Sequence, residues 1–344
     1  MNAPLVDIED PASLRRYLRD SSRVNKGEAL ELRTLAGGVS NKTVLVRRPS
    51  GEAWVLKQAL PKLRTKADWF SDPARIRREA LGLEWLPKLA PSGTITPLVF
   101  RDDTQNLLAM EAVPEPHENW KTMLLAGRVE QEHVSQFGTL LGTIHRSAYE
   151  RRDELRSLFD ERGFFESLRL EPYYAYTAGQ TPAARAFLHD LIAQTRARRF
   201  TLVHGDYSPK NVLVRDGRLI LLDHEVIHWG DGAFDHGFAL AHLLGKAHHL
   251  AAHRDAFARA TVLFWERYRD AVGDVPWVTD LEPAAVRNGL GCLLARVAGR
   301  SPLEYLSPLE REQQVKAVVT LMGNPPVTIE QLASRFLEEI SRCP

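Results

Sequence analysis

The feature that most constrains this chain is a pair of short apolar runs with a polar loop at each tip. Leu202-Val-His-Gly-Asp-Tyr-Ser-Pro-Lys-Asn-Val-Leu-Val214 is followed by Arg218-Leu-Ile-Leu-Leu-Asp-His-Glu225. Val212–Val214 and Leu219–Leu222 have strand composition, and Asp216-Gly217 between them is a tight-turn signal, so the spacing predicts a hairpin. His204, Asp206 and Asn211 lie in the loop ahead of it, and Asp223 and Glu225 lie at its end. Folding back brings Asn211 beside Asp223. Three carboxylates and a carboxamide at one place repel one another unless a proton or a cation relieves them. Oxygen ligands of this kind suit Mg²⁺, which keeps part of its shell as water and phosphate oxygens.

The spacing matches the catalytic loop of protein kinases, where an Asp is followed five positions on by an Asn and then by a metal-binding Asp. Gly205 stands where protein kinases have Arg, and Asp223-His224-Glu225 replaces Asp-Phe-Gly. With these departures the motif resembles the aminoglycoside phosphotransferase and choline kinase superfamily, including its methylthioribose kinase branch. Trp229-Gly-Asp-Gly-Ala-Phe-Asp-His-Gly-Phe238 is similar to that family's continuation. The resemblance implies an α+β, protein-kinase-like two-lobed fold. Residues 1–113 would form a small N-terminal nucleotide-binding lobe, an antiparallel sheet with one main helix. Residues 114–344 would form a larger, mostly helical catalytic and substrate-binding lobe.

The residues before the motif fit that division. Leu30–Leu35, Thr43–Arg47 and Ala53–Gln58 read as strands joined by small-residue turns, and Pro97–Phe100 and Asn106–Met110 as two more. Gly37, Gly38, Ser40 and Asn41 occupy the first turn, whose backbone N–H groups could cover phosphates. Lys57 sits near the end of the third strand, where the resemblance places the Lys that holds the nucleotide phosphates. Asp72–Leu86 has a capping Asp, an early Pro and helical apolar spacing. Glu79 on it is the expected partner of Lys57, preferred over Glu84 because Arg78-Glu79-Ala80 follows the family's habit. By resemblance the backbone of Glu111 and Val113 contacts the adenine edge.

Helical stripes follow at Asn119–Ala126, Glu130–Tyr149 and Arg185–Arg198, and again from Asp235 onward. Gln136–His145 resembles the helix that buttresses the catalytic loop, its glycines allowing close packing, with His145 a structural hydrogen-bonder. Phe164–Tyr176, rich in aromatics, reads as a long connection that could line a substrate cleft, although aromatics in such a connection are more often packing residues. Asp235 is expected to brace the catalytic loop. Arg296 and Arg300 could hold an anionic or polyhydroxyl substrate, although such a pair usually marks a solvated helix end.

The resemblance assigns roles. Asp206 is the catalytic base; Asn211, Asp223 and Glu225 are the metal set; Lys57, Glu79, Ser40, Asn41, Glu111 and Val113 bind the nucleotide. The cofactors are ATP and Mg²⁺, with GTP also compatible, and the acceptor is a small-molecule hydroxyl. A protein kinase is disfavoured because Asp235 follows Asp223 too closely for an activation segment. A kinase-like binding protein without turnover would normally have lost the base or a metal ligand, and neither is lost. A net charge of +1 gives no case for nucleic acid or membrane. Two cysteines, Cys292 and Cys343, and an N-terminus without signal-peptide pattern fit a cytoplasmic monomer or homodimer.

Overall fold

The computed structural model describes residues 5–36, 38–65 and 68–342. Gly37 of the expected glycine turn and Cys343 lie outside them. The chain divides into two compact units, one running to Lys88 and resuming over Ile95–Pro116, the other comprising Leu89–Thr94 and everything from His117.

The first unit contains α1 (Pro11–Asp20), β1 (Glu31–Thr34), β2 (Asn41–Arg47), β3 (Ala53–Ala59), α2 (Ile76–Trp85), β4 (Leu98–Asp102) and β5 (Leu107–Glu111). The strands form one antiparallel sheet in the order β1-β2-β3-β5-β4. Val44 and Val46 on β2 and Trp54 and Leu56 on β3 alternate onto one face, where they bury against Leu14, Leu18 and Phe100. This is the period-two pattern of a half-covered sheet. Asp72 accepts the Ala74 N–H at 2.9 Å and starts the 3₁₀ turn Pro73–Arg75 that leads into α2. Arg75 is fully buried there; its guanidinium donates to the carbonyls of Leu60, at 3.0 Å, and Ser40.

The second unit opens with β6 (Glu118–Asn119), α3 (Trp120–Leu125), α4 (Gln131–Glu150) and α5 (Arg152–Phe159). A short α6 (Gly163–Phe165) then runs through a π-helical segment, Glu166–Ala175, into α7 (Tyr176–Gln180), and α8 (Arg185–Ala197) follows. Phe164–Tyr176 is thus helical rather than a loop, and α5 has no counterpart in the sequence reading. Next come β7 (Thr201–Val203), β8 (Val212–Arg215), β9 (Arg218–Leu221) and β10 (His228–Gly230). Five helices close the chain: α9 (Ala233–His249), α10 (Arg254–Val272), α11 (Leu281–Ala298), α12 (Pro308–Gly323) and α13 (Ile329–Arg342).

β8 and β9 form the expected hairpin, with Asp216 and Gly217 both at positive φ (49° and 72°) as a tight hairpin turn requires. α4 packs closely along α10. A Cβ at Gly138 would stand 2.4 Å from the Phe264 carbonyl oxygen, and one at Gly142 would stand 2.6 Å from that of Tyr268. No described helix is long and apolar enough to cross a membrane.

Every residue of α9 from Ala233 to His248 is buried, including Lys246. Among the described residues the Lys246 ammonium makes one hydrogen bond, 3.1 Å to the His242 carbonyl, and lies 5.6 Å from the ring centre of Tyr305. Burial, reinforced by Lys121 and Arg296, pushes its pKa down to about 7 against a weaker opposing effect of Glu304. The unfolded chain therefore holds more protons than the folded one between pH 7 and the ordinary lysine value of 10.5, so this residue's contribution to stability rises with pH across that window. Lys246→Met, which keeps the volume and removes the charge, should raise the unfolding free energy most near pH 6.5, by up to about 5 kcal/mol. The gain should shrink by pH 9.5. Equal gains at both pH values, or a loss at pH 6.5, would contradict the assignment.

Candidate active site

Within the first unit, the Lys57 Nζ lies 2.5 Å from a Glu79 carboxylate oxygen, and both side chains are buried. Glu84 is exposed and lies 3.5 Å from Arg101, so the geometry selects Glu79 from the two candidates. Ser40 and Asn41 sit at the head of β2, buried, with the Asn41 amide 3.2 Å from the Ser40 hydroxyl. Arg75 and Leu60 both donate to the Ser40 carbonyl, which ties this turn to the start of α2.

Glu111 ends β5. Its N–H donates to the Pro97 carbonyl at 2.9 Å and is already spent. Proline has no N–H to return the second bond of that pair, so the Glu111 carbonyl loses its reciprocal ladder donor. Val113 lies past the strand, and its N–H makes no hydrogen bond among the described residues. Among the described residues, the Glu111 carbonyl and the Val113 N–H, two residues apart, are thus placed to meet a ligand.

In the second unit the loop 204–211 is held from several sides. Asp235, fully buried in the first turn of α9, accepts the N–H groups of His204 and Gly205, each at 2.7 Å. His145 stands 3.4 Å from the same carboxylate and 3.0 Å from the Tyr268 hydroxyl. Burial alone would raise the Asp235 pKa, but the hydrogen bonds from His145 and the Gly205 amide outweigh it and lower it. Gly205 has φ +77°, and a Cβ there would stand 2.8 Å from the Val226 side chain, so the Arg of protein kinases has no room at this position. The Tyr207 hydroxyl donates to the Phe137 carbonyl of α4 at 2.6 Å, and their rings stack at 4.2 Å.

His204 links the two halves of the motif. Its Nδ1 accepts the Asp206 N–H at 3.2 Å, which leaves the proton on Nε2, 3.2 Å from the Leu222 carbonyl. Burial keeps its pKa below the ordinary value and the ring neutral, as this one-acceptor, one-donor role needs. The Leu222 N–H in turn donates to the Asn211 carbonyl at 2.8 Å. Asp223 therefore follows directly on the residue paired with Asn211. Its φ of +69° is unusual for a residue with a side chain, a local strain of the kind found at functional sites.

The Asn211 Nδ2 donates to the Asp206 carboxylate at 2.7 Å, which turns the Asn211 carbonyl oxygen away from it. Carboxylate oxygens of Asp223 and Glu225 lie within 4.8 Å of each other. Two carboxylates and a carboxamide oxygen are a hard-donor set of the type a divalent cation takes. Asp206, Asn211, Asp223 and Glu225 are thus gathered around one hairpin.

Arg169, on the π-helical segment, went unnoticed in the sequence. It is 7% exposed, and its Nη2 lies 3.0 Å from the Asp206 carboxylate. Arg296 is not at a solvated helix end. It is buried, and its Nη1 donates to the Tyr173 hydroxyl at 3.0 Å and the Ser301 carbonyl at 2.6 Å. Arg300 pairs with Glu171 at 3.1 Å.

The sequence model of the phosphotransferase enzyme family matches residues 31–271. The chain belongs to the phosphotransferase enzyme family. Among curated relatives, the methylthioribose kinase of Pectobacterium carotovorum subsp. carotovorum (strain PC1) is 24% identical over 255 residues, covering 66% of this chain and 63% of its own. That of Yersinia pseudotuberculosis serotype O:1b (strain IP 31758) is 26% identical over 259 residues, covering 66% and 62%. The chain thus spans less than two thirds of the length of these relatives. Among solved structures, an amicoumacin kinase in complex with AMP-PNP and Ca²⁺ superposes with a TM-score of 0.59 at 13% identity, covering 93% of this chain and 95% of that one. A Plasmodium vivax ethanolamine kinase gives 0.55 at 12% identity, covering 96% and 89%. These likenesses establish the protein-kinase-like fold for this member of the phosphotransferase enzyme family, with its small antiparallel-sheet unit and its larger helical unit.

Proposed function

We propose that this phosphotransferase is a small-molecule kinase that moves the γ-phosphate of ATP to a hydroxyl group. The observation that carries the reading is the hairpin constellation: Asp206 fixed by Asn211, with Asp223 and Glu225 at the other tip. In this reading Asp206 orients the acceptor hydroxyl and takes its proton. Asn211, Asp223 and Glu225 hold Mg²⁺, which when bound neutralises charge on the phosphate oxygens. Lys57, steadied by Glu79, places the α and β phosphates, and the turn at Ser40 and Asn41 covers them. The Glu111 carbonyl and the Val113 N–H take the adenine edge. Residues 1–113 serve the nucleotide, and residues 114–344 serve catalysis and the acceptor. Positioning and charge stabilisation lower the barrier, with no covalent intermediate.

The methylthioribose kinases among the relatives favour a sugar-like or nucleoside-derived alcohol as acceptor. Purified protein incubated with ATP, Mg²⁺ and pooled alcohols should release ADP with at least one pool, and chelation of the metal should stop it. ATP binding with no ADP release from any pool of sugars, amino alcohols and antibiotics would overturn the enzymatic reading in favour of a binding protein.

A further inference from the structure

Two side chains converge on a single oxygen of Asp206. The Asn211 Nδ2 lies 2.7 Å from Oδ2, and the Arg169 Nη2 lies 3.0 Å from the same atom. Oδ1 accepts no hydrogen bond among the described residues. The carboxylate is therefore clamped through one oxygen and open through the other.

Arg169 is a fixed bracket. Its Nε donates to the Gly205 carbonyl at 2.7 Å and its Nη1 to the Leu168 carbonyl at 2.8 Å, so three different nitrogens each have an assigned acceptor. The Tyr173 and Phe238 rings lie 5.9 and 5.8 Å from its Cζ. The planar fork thus reads the backbone one residue before Asp206 and the Asp206 side chain together, which fixes one relative to the other. Burial weakens this cation, but Asp206 foremost among its neighbours more than restores it, so it stays charged.

We propose that Arg169 is the positioning residue for phosphoryl transfer. With Asn211 it pins Asp206 by Oδ2, so that Oδ1 is the oxygen that receives the acceptor's proton. The proposal rests on the kinase reading above. In the step itself, the acceptor O–H donates to Oδ1. The oxygen keeps the electron pair of that bond as the proton passes to Oδ1, and its attack forms the new O–P bond. The bond from the γ-phosphorus to the β,γ-bridging oxygen breaks, and its electron pair leaves on the nucleoside diphosphate. An unpinned carboxylate turns freely about its terminal torsion and presents either oxygen at a range of angles. A lysine cannot replace the bracket, because a single ammonium does not span the Gly205 carbonyl and Oδ2 in one plane.

Arg169→Ala and Arg169→Lys test this. Each should lower kcat by roughly 10²-fold, the cost of a misplaced reacting group. The KM for nucleotide and the Mg²⁺-ATP thermal shift should stay within twofold of wild type. Added guanidinium at millimolar concentration should restore part of the kcat of Arg169→Ala and none of that of Arg169→Lys. A kcat per folded molecule within threefold of wild type in either variant overturns the proposal, as does failure of guanidinium rescue in a folded Arg169→Ala. Wild-type turnover that Asp206→Asn leaves intact would instead strike the kinase reading. A crystal structure of Arg169→Ala decides the clamp without turnover. The Asp206 carboxylate should rotate away from its wild-type plane, and an unchanged carboxylate overturns the proposal.

Discussion

Asp206→Asn is expected to lower phosphotransfer by roughly 10²- to 10⁴-fold, the range for loss of a general base. The amide is nearly isosteric, and its oxygen can keep the contacts that Arg169 and Asn211 make to Oδ2. That choice turns the new NH₂ group toward the acceptor. A donor then faces a donor, and no lone pair remains for the proton. Nucleotide affinity should change less than twofold, because Asp206 carries no expected contact to the nucleotide. Steady-state ADP release and a thermal-shift titration with Mg²⁺-ATP separate the two quantities. Parallel loss of both would show that the substitution had unfolded the loop and said nothing of a base.

The second large effect is expected on stability. Asp235→Ala should destabilise the protein by about 3–5 kcal/mol, the cost of breaking a buried charged network by removing one partner. Its carboxylate serves two backbone N–H groups, those of His204 and Gly205, and His145. None of the three is at the surface, so water cannot replace the lost acceptor without entering the core. Asp235→Asn should cost less, since one amide oxygen can still accept from one N–H group. Denaturant unfolding of the two variants should rank them in that order. A loss below 1 kcal/mol for the alanine variant would mean that the loop is held without Asp235.

The hairpin and its acidic tips could be read from residue order because every partner lies within one turn of chain. Asp216-Gly217 announces the turn, and the turn brings Asn211 to Asp223. The pairing of Lys57 with Glu79 was also readable, because a strand and the next helix each offered few charged candidates. Arg169 was not. Its two partners in the catalytic loop, Gly205 and Asp206, lie 36 and 37 positions downstream, and π-helical spacing matches neither of the periods by which helices and strands are recognised. Lys246 was hidden for another reason. α9 is buried all round, so it has no polar face against which a misplaced cation would stand out. The spent Glu111 N–H could not be foreseen, since it depends on the register that sets Pro97 opposite Glu111.

The π-helical segment carries one more implication, for how this family can vary. In an α-helix each residue turns about 100° around the axis, whereas the wider coil of Glu166–Ala175 accommodates an extra residue within its turns. Removing a single residue between Phe165 and Arg169 would let the coil tighten and would carry the guanidinium around the axis, off Asp206. Homologous chains one residue shorter at this point should therefore lack a working arginine here, and gaps in this stretch should coincide with a different residue beside the base.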